Sequence, residues 1–261
     1  MQLALVLIEV VAGSLLVGAV LTTGVRRLFR GRTHLLTNEG GSPALRAITA
    51  TYALLLAFVL ATSLQSFQSA RNQVVSEADT VVSLGNLAHL LPPPADQRVQ
   101  RALACYADTV VTSEFPAMRA GTLPPDDDKA LEQLYSALPE PGQASTAGTG
   151  IADATLQQLS SLTNARDARI RAARSQLPWL LWVVVIGGAV VALLGVTAVT
   201  FVERPWAQFW LLSGATAIIL AAILLIASLG APFAGVGVRI DAAPMQSALK
   251  AVSVGVPPPY C

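Results

Sequence analysis

A short run of arginines carries the most evident chemistry in this sequence. Arg166, Arg169, Arg171 and Arg174 come just before an apolar stretch that begins at Pro178. Guanidinium groups attract anions, so we take Arg166, Arg169 and Arg174 as the candidate anion-attracting residues. The same run is also typical of a helix that docks on anionic lipid headgroups, or of a solvated helix face beside a membrane. The sequence leaves all three interpretations open.

The residue types that catalysis and metal binding require are sparse. A full apolar stretch separates the two histidines, His34 and His89, and the sequence contains no nucleophile elbow, phosphate loop or zinc spacing. Asp126 to Asp128 are adjacent rather than spaced like a calcium loop, which favours helix capping over a metal site. Cys105 and Cys261 give no metal spacing, and a bridge between them stays open. We therefore expect no enzyme, no cofactor and no metal.

The composition indicates a membrane protein. Of the 261 residues, 53% are hydrophobic and only 13% are charged, whereas soluble domains carry about 25% charged residues. The formal net charge of +1 argues against a nucleic-acid partner, because such domains usually carry a basic excess. The lipid bilayer is the partner that this composition predicts.

Four apolar runs are long enough to cross a hydrocarbon core of about 30 Å. They cover residues 3–25, 44–64, 178–202 and 206–229. We therefore predict an all-α, multi-pass protein of the cell membrane with four transmembrane helices. Spans one and two lie in residues 1–64, a transmembrane hairpin lies in residues 177–230, and residues 231–261 form a tail.

The second span is predicted to leave the membrane without a break. After Leu64 the polarity rises, yet apolar residues continue at helical spacing to about Leu91. The stripe is rich in small residues, which indicates tight packing on another helix. Its members are Phe67, Ala70, Val74, Ala78, Val81 and Ala88.

Residues 65–176 are predicted to form an all-helical soluble domain inserted between spans two and three. A helix is expected from Ala95 to Glu114, with Val99, Leu103, Tyr106 and Val110 on one apolar face. Pro116 should end it because proline removes a backbone donor. A short helix follows Pro125, and a last helix starts near Ile151 and runs toward the membrane.

The side of the membrane that holds the soluble domain stays open at this point. Four arginines between spans one and two (Arg26, Arg27, Arg30 and Arg32) favour a cytoplasmic first loop, which would put the soluble domain outside. The basic residues near the membrane on the other side are about as numerous, and long inserts are poor indicators of orientation.

The layout resembles the bestrophin-like family of bacterial and plant membrane proteins known as DUF4239. The resemblance covers nearly the whole chain, and four segments carry it: Tyr52–Phe58, Val75–Ala78, Glu114–Met118 and Pro232–Gly235. Bestrophins are pentameric anion channels whose second helix lines the pore and whose insert is cytosolic. The resemblance therefore implies a bestrophin-like layout, a homo-oligomer that is pentameric by analogy, and anions such as chloride as the conducted species.

If the second span lines a pore, its hydroxyl groups would meet water and its apolar side chains would form a constriction that gates by dewetting. The candidate pore-lining residues are Thr49, Tyr52, Leu56, Val59, Thr62 and Ser63. The alternative is that the hydroxyls bond carbonyls of their own helix and that the aromatic rings pack between spans.

A different function class is compatible with the same sequence. The protein would then be a non-conducting membrane scaffold or signalling protein, and its soluble helical bundle would bind a partner. A channel predicts ion flux, whereas a scaffold predicts a stable partner on pull-down.

Overall fold

Helices account for nearly all of the chain that a computed structural model describes, namely residues 2–28, 41–124, 129–138, 149–174, 178–199, 205–235 and 238–261. None of these residues forms a β-strand, so the predicted all-helical fold is confirmed. The helices are α1 (Gln2–Leu28), α2 (Gly41–Ala88), α3 (Ala95–Thr109), α4 (Phe115–Arg119), α5 (Lys129–Ala137), α6 (Thr149–Arg174), α7 (Trp179–Val199), α8 (Pro205–Gly230) and α9 (Ala243–Val252).

The chain divides into two compact units. The membrane unit comprises residues 1–65 and 177–230, and the soluble unit comprises residues 66–176 and 231–261. Residues 231–261, which the sequence predicted only as a tail, thus belong to the soluble unit.

Three helices within the described residues are long and apolar enough to cross a membrane. They contain the segments Ala47–Ala88, Trp179–Thr197 and Trp206–Gly230. The apolar segment Val11–Gly24 of α1 is shorter. The fourth span, at residues 3–25, therefore stays a prediction.

Helix α2 is a single element of 48 residues. At 1.5 Å per residue it is about 72 Å long, more than twice the thickness of a hydrocarbon core. The predicted continuation beyond Leu64 is confirmed, and the helix ends at Ala88, three residues before the expected end.

The core of the soluble unit follows the predicted apolar faces. Every member of the α2 stripe except the half-buried Phe67 is buried, and so is the α3 face of Val99, Leu103, Tyr106 and Val110. Helix α9 adds Met245, Ala248 and Val252 to the same core, and it packs against α3.

The predicted helix end at Pro116 is wrong. A five-residue π-helical turn, Val110–Glu114, follows α3, and the chain then continues through Pro116 as α4 to Arg119. In this turn the amide of Phe115 bonds the carbonyl of Val110. The wider turn shifts the hydrogen-bond register directly before the proline, so the missing amide and the bulk of the ring no longer break the helix.

Candidate functional site

The membrane half of α2 packs on α7 through Tyr52. The Tyr52 hydroxyl donates to the carbonyl oxygen of Val185 at 3.1 Å. A Cβ atom at Gly188 of α7 would collide with the Tyr52 ring, so only glycine allows this approach. About two turns further along α2, Val59 is buried against Val185 and Ile226. Tyr52 and Val59 therefore face the interior of the membrane unit.

The hydroxyl groups further along α2 bond their own helix. Ser63 Oγ donates to the carbonyl of Val59 at 2.8 Å, and Thr62 Oγ1 donates to the same carbonyl at 2.9 Å. Such bonds satisfy polar groups where no water is available. Ser63 is buried, whereas Thr62 lies on the exposed side of the helix.

The exposed side of α2 is a separate face. Leu54 and Phe58 are 74% and 69% exposed, and Thr62 follows at helical spacing. Thr49 and Leu56 are half-buried. The six predicted pore-lining residues are thus divided between two sides of α2, and their role in a pore stays a prediction.

A second site lies in the soluble unit, where four charged side chains meet in the core. Arg169 Nε donates to Glu77 Oε2 at 2.6 Å, and its Nη2 donates to Glu77 Oε1 at 3.1 Å and also to Glu114 Oε2. Arg166 Nη2 donates to Glu114 Oε1 at 2.8 Å. Tyr106 donates its hydroxyl proton to Glu77 Oε1 at 2.6 Å. We call these five residues the buried ion cluster.

Four elements supply the five residues of the buried ion cluster. Arg166 and Arg169 are three residues apart, so they share one face of α6. Glu77 interrupts the buried α2 stripe between Val74 and Ala78. Glu114 ends the π-helical turn, and π turns are frequent at functional sites.

Aromatic and sulfur groups surround Arg169. Its guanidinium carbon lies 5.5 Å from the ring centre of Phe115, and Nη1 lies 3.7 Å from Met118 Sδ. Phe233 packs edge-on against Phe115 with 6.0 Å between ring centres. Three of the four segments that carry the family resemblance therefore meet around one arginine.

Burial and neighbouring charges act in opposite directions on the pKa values of Glu114 and Arg169. Burial by itself would raise the pKa of Glu114, but the charges of Arg169 and Arg166 outweigh it and lower that pKa below its ordinary value. Burial likewise opposes the charge of Arg169, and Glu77 and Glu114 raise its pKa. Burial, followed by the charge of Glu77, raises the pKa of Tyr106 well above its ordinary value. Tyr106 thus stays a neutral donor, and the cluster is suited to joining helices rather than to proton transfer.

The predicted anion-attracting residues are divided in the same way as the pore set. Arg166 and Arg169 form buried ion pairs with Glu114 and Glu77. Arg174 lies outside the cluster and is exposed. A role of these arginines in attracting anions stays a prediction.

The family of the chain follows from its sequence profile. The profile of the Bestrophin-like domain matches residues 12–245. The chain belongs to the bestrophin-like domain family. Among proteins with curated descriptions, no sequence matches this bestrophin-like chain.

Solved structures share the bestrophin-like fold. A bacterial bestrophin homologue from Klebsiella pneumoniae matches with a TM-score of 0.74 and 15% identity, over 95% of this chain and 100% of the homologue. A single-residue variant of that homologue gives 0.72 and 17% identity, over 95% and 97%. A structure described as a membrane protein variant gives 0.73 and 14% identity, over 94% and 97%. At these identities the likeness shows the fold, and the protein is an all-helical membrane protein.

Sequence reasoning missed the buried ion cluster of this bestrophin-like protein. Glu77 and Glu114 appeared only as parts of family segments, and Tyr106 only as part of an apolar face. The available signal was a carboxylate within the buried α2 stripe, since a carboxylate in a core requires a cation.

Possible metal ligands do not cluster in the described part of this bestrophin-like chain. Within it, no group of three or more His, Cys, Asp or Glu residues is placed to hold a metal ion. His34 and Asp126 to Asp128 lie outside the described residues.

Proposed function

We propose that this protein is an oligomeric bestrophin-like ion channel that conducts anions such as chloride through a pore lined by α2. The observation that carries the proposal is the family match over residues 12–245 together with the bestrophin fold. Bestrophins are pentameric anion channels, and a channel-type family is not enzymatic. A homopentamer is the assembly that this analogy favours.

The exposed face of α2 is the part that we propose faces the pore. Tyr52, Val59 and Ser63 are covered by their own chain and hold α2 in place. Thr62 offers a polar group on the outer side, while Leu54 and Phe58 supply large apolar side chains there. Apolar rings in a narrow pore gate by dewetting, so Phe58 is the residue that we propose narrows the pore.

The test is halide flux into liposomes that contain the purified protein. Thr62→Leu should reduce flux by about tenfold, which corresponds to a barrier increase of about 1.4 kcal/mol, because it removes the polar group. Phe58→Ala should increase flux because it widens the constriction. The matched control is Thr23→Leu, which changes an exposed threonine of α1 that also bonds its own helix.

The pattern of outcomes decides the proposal. Equal loss in Thr62→Leu and Thr23→Leu would contradict a pore lined by α2. Absence of flux in the wild type under varied pH, calcium and voltage would contradict the channel itself. A search for proteins bound to the soluble unit would then test the scaffold function.

A further inference from the structure

The two cysteines of the chain are bonded to each other within the soluble unit. The sulfur atoms of Cys105 and Cys261 form a disulfide, and their Cα atoms lie 4.9 Å apart. Cys105 is buried on α3. The bond ties two positions that are 156 residues apart in the sequence.

The surrounding fold brings these two cysteines together. Helix α9 packs against α3, and its residues Met245 and Ala248 are buried in the same core as Leu103 and Tyr106 of α3. Tyr260, next to Cys261, packs on that core. The apolar packing of α9 and of Tyr260 on this core therefore supports the pairing of Cys261 with Cys105.

A bond of this kind indicates the compartment in which the soluble unit resides. Disulfides persist in oxidising spaces outside the cytoplasm, whereas the cytosol keeps thiols reduced. Both cysteines of the chain take part in this disulfide. The disulfide therefore favours an extracytoplasmic soluble unit.

The arginines between the first two apolar runs agree with this orientation, but the basic residues near the membrane on the other side are about as numerous, so the disulfide carries the inference. Arg26 and Arg27 lie in the last turn of α1, and Arg30 and Arg32 lie between α1 and α2. Short loops rich in arginine stay on the cytoplasmic side. Because α2 crosses the membrane once between this loop and the soluble unit, a cytoplasmic loop places the soluble unit on the opposite side.

We propose that the soluble unit faces the oxidising, extracytoplasmic side of the membrane, where the Cys105–Cys261 disulfide fastens residues 253–261 to α3. The two thiols give up two protons and two electrons to the disulfide of an extracytoplasmic dithiol oxidase, which becomes a dithiol as the new S–S bond forms. This orientation is opposite to the cytosolic insert of bestrophins. It does not depend on ion conduction.

The redox state is measured first, on the full chain in the membrane of growing bacteria. Cells are quenched with acid, and the denatured protein is treated with polyethylene-glycol maleimide before or after reduction. The wild type should gain no adduct before reduction and two adducts after it. Cys261→Ser should gain one adduct without reduction. Two adducts on the unreduced wild type would overturn the proposal.

The orientation is then measured with added cysteines in the wild-type background, where the disulfide leaves the added thiol as the reactive one. Arg101→Cys reports on an exposed position of α3, and Asn38→Cys reports on the segment between α1 and α2. A membrane-impermeant maleimide should label Arg101→Cys on intact spheroplasts and Asn38→Cys only after lysis. The reverse pattern would overturn the proposal even if the disulfide is present.

Discussion

Arg169 and Glu77 form an ion pair in which neither side chain is exposed. The Nε atom of Arg169 lies 2.6 Å from Oε2 of Glu77, and both side chains have 0% relative exposure. A buried charge without its partner is costly, because the low-dielectric interior does not replace the lost hydration. The pair therefore joins α6 to the soluble half of α2, and each residue requires the other.

Removing one charge of this pair should destabilise the soluble unit strongly. We expect Glu77→Gln to lower the free energy of unfolding by about 3–5 kcal/mol. Two buried arginines, Arg169 and Arg166, would then share the single carboxylate of Glu114, so one positive charge would be left uncompensated. Denaturant unfolding of the purified protein in detergent measures the change.

The matched control for Glu77→Gln is Asp241→Asn. Asp241 forms an ion pair with Arg119 at 3.0 Å, but the two side chains are 61% and 41% exposed. Exposed pairs contribute only about 0–1 kcal/mol. Equal effects of the two substitutions would contradict the importance of burial for the Glu77 pair.

The stability of the protein should fall at acid pH in a way that depends on Glu114. Arg169 and Arg166 lower the pKa of Glu114 below its ordinary value of 4.5. As the pH falls, the Glu114 carboxylate therefore binds a proton more readily in the unfolded chain than in the folded protein. The stabilisation from charged Glu114 is complete above pH 4.5 and is lost as the pH falls through the lower folded pKa. We expect Glu114→Gln to flatten the decrease of Tm between about pH 5.5 and pH 3. An unchanged slope would show that Glu114 is not charged in the folded protein.

The contact between Tyr52 and α7 should tolerate no side chain at Gly188. A Cβ atom there would meet the Tyr52 ring, whereas a Cβ atom at the neighbouring Gly187 has nothing within 4 Å. Gly188→Ala should cost about 1–3 kcal/mol through overpacking. Gly187→Ala should be neutral or slightly stabilising, since alanine is the better helix former.

Thermal unfolding in detergent distinguishes these two alanine substitutions. Replacing the Tyr52 ring with a smaller side chain, as in Tyr52→Leu, should restore part of the stability lost in Gly188→Ala. The effects of substitutions at two residues in contact are not additive. Equal Tm values for the two glycine variants would show that α2 does not approach α7 at Gly188.

Loss of the disulfide should loosen the segment that follows α9. Cys261→Ser should lower the stability of the protein by about 2–4 kcal/mol and expose residues 253–260 to proteolysis. Limited proteolysis with mass spectrometry locates the cleavage. A reducing agent should have the same effect on the wild type and no further effect on Cys261→Ser, and resistance of the reduced wild type would contradict this role of the bond.

Local periodicity was sufficient to predict most helices. The stripe from Ala70 to Ala88 and the α3 face that contains Leu103 both become core, because each pattern is set by neighbours within one helix. The prediction that Pro116 ends the helix was wrong because it, too, considered only the local sequence. Its effect depends on the π-helical turn before it, and no pattern of apolar residues specifies that turn.

The sequence by itself determined that this is an all-helical membrane protein with a long second helix and a helical soluble part, since length, apolar runs and helical spacing are local properties. Only the tertiary structure decided that Arg169 meets Glu77 across 92 positions, that Cys105 meets Cys261, and that Tyr52 faces α7 while Phe58 faces outward. These relationships depend on which helix faces pack together, and packing is settled by the whole core rather than by any one segment.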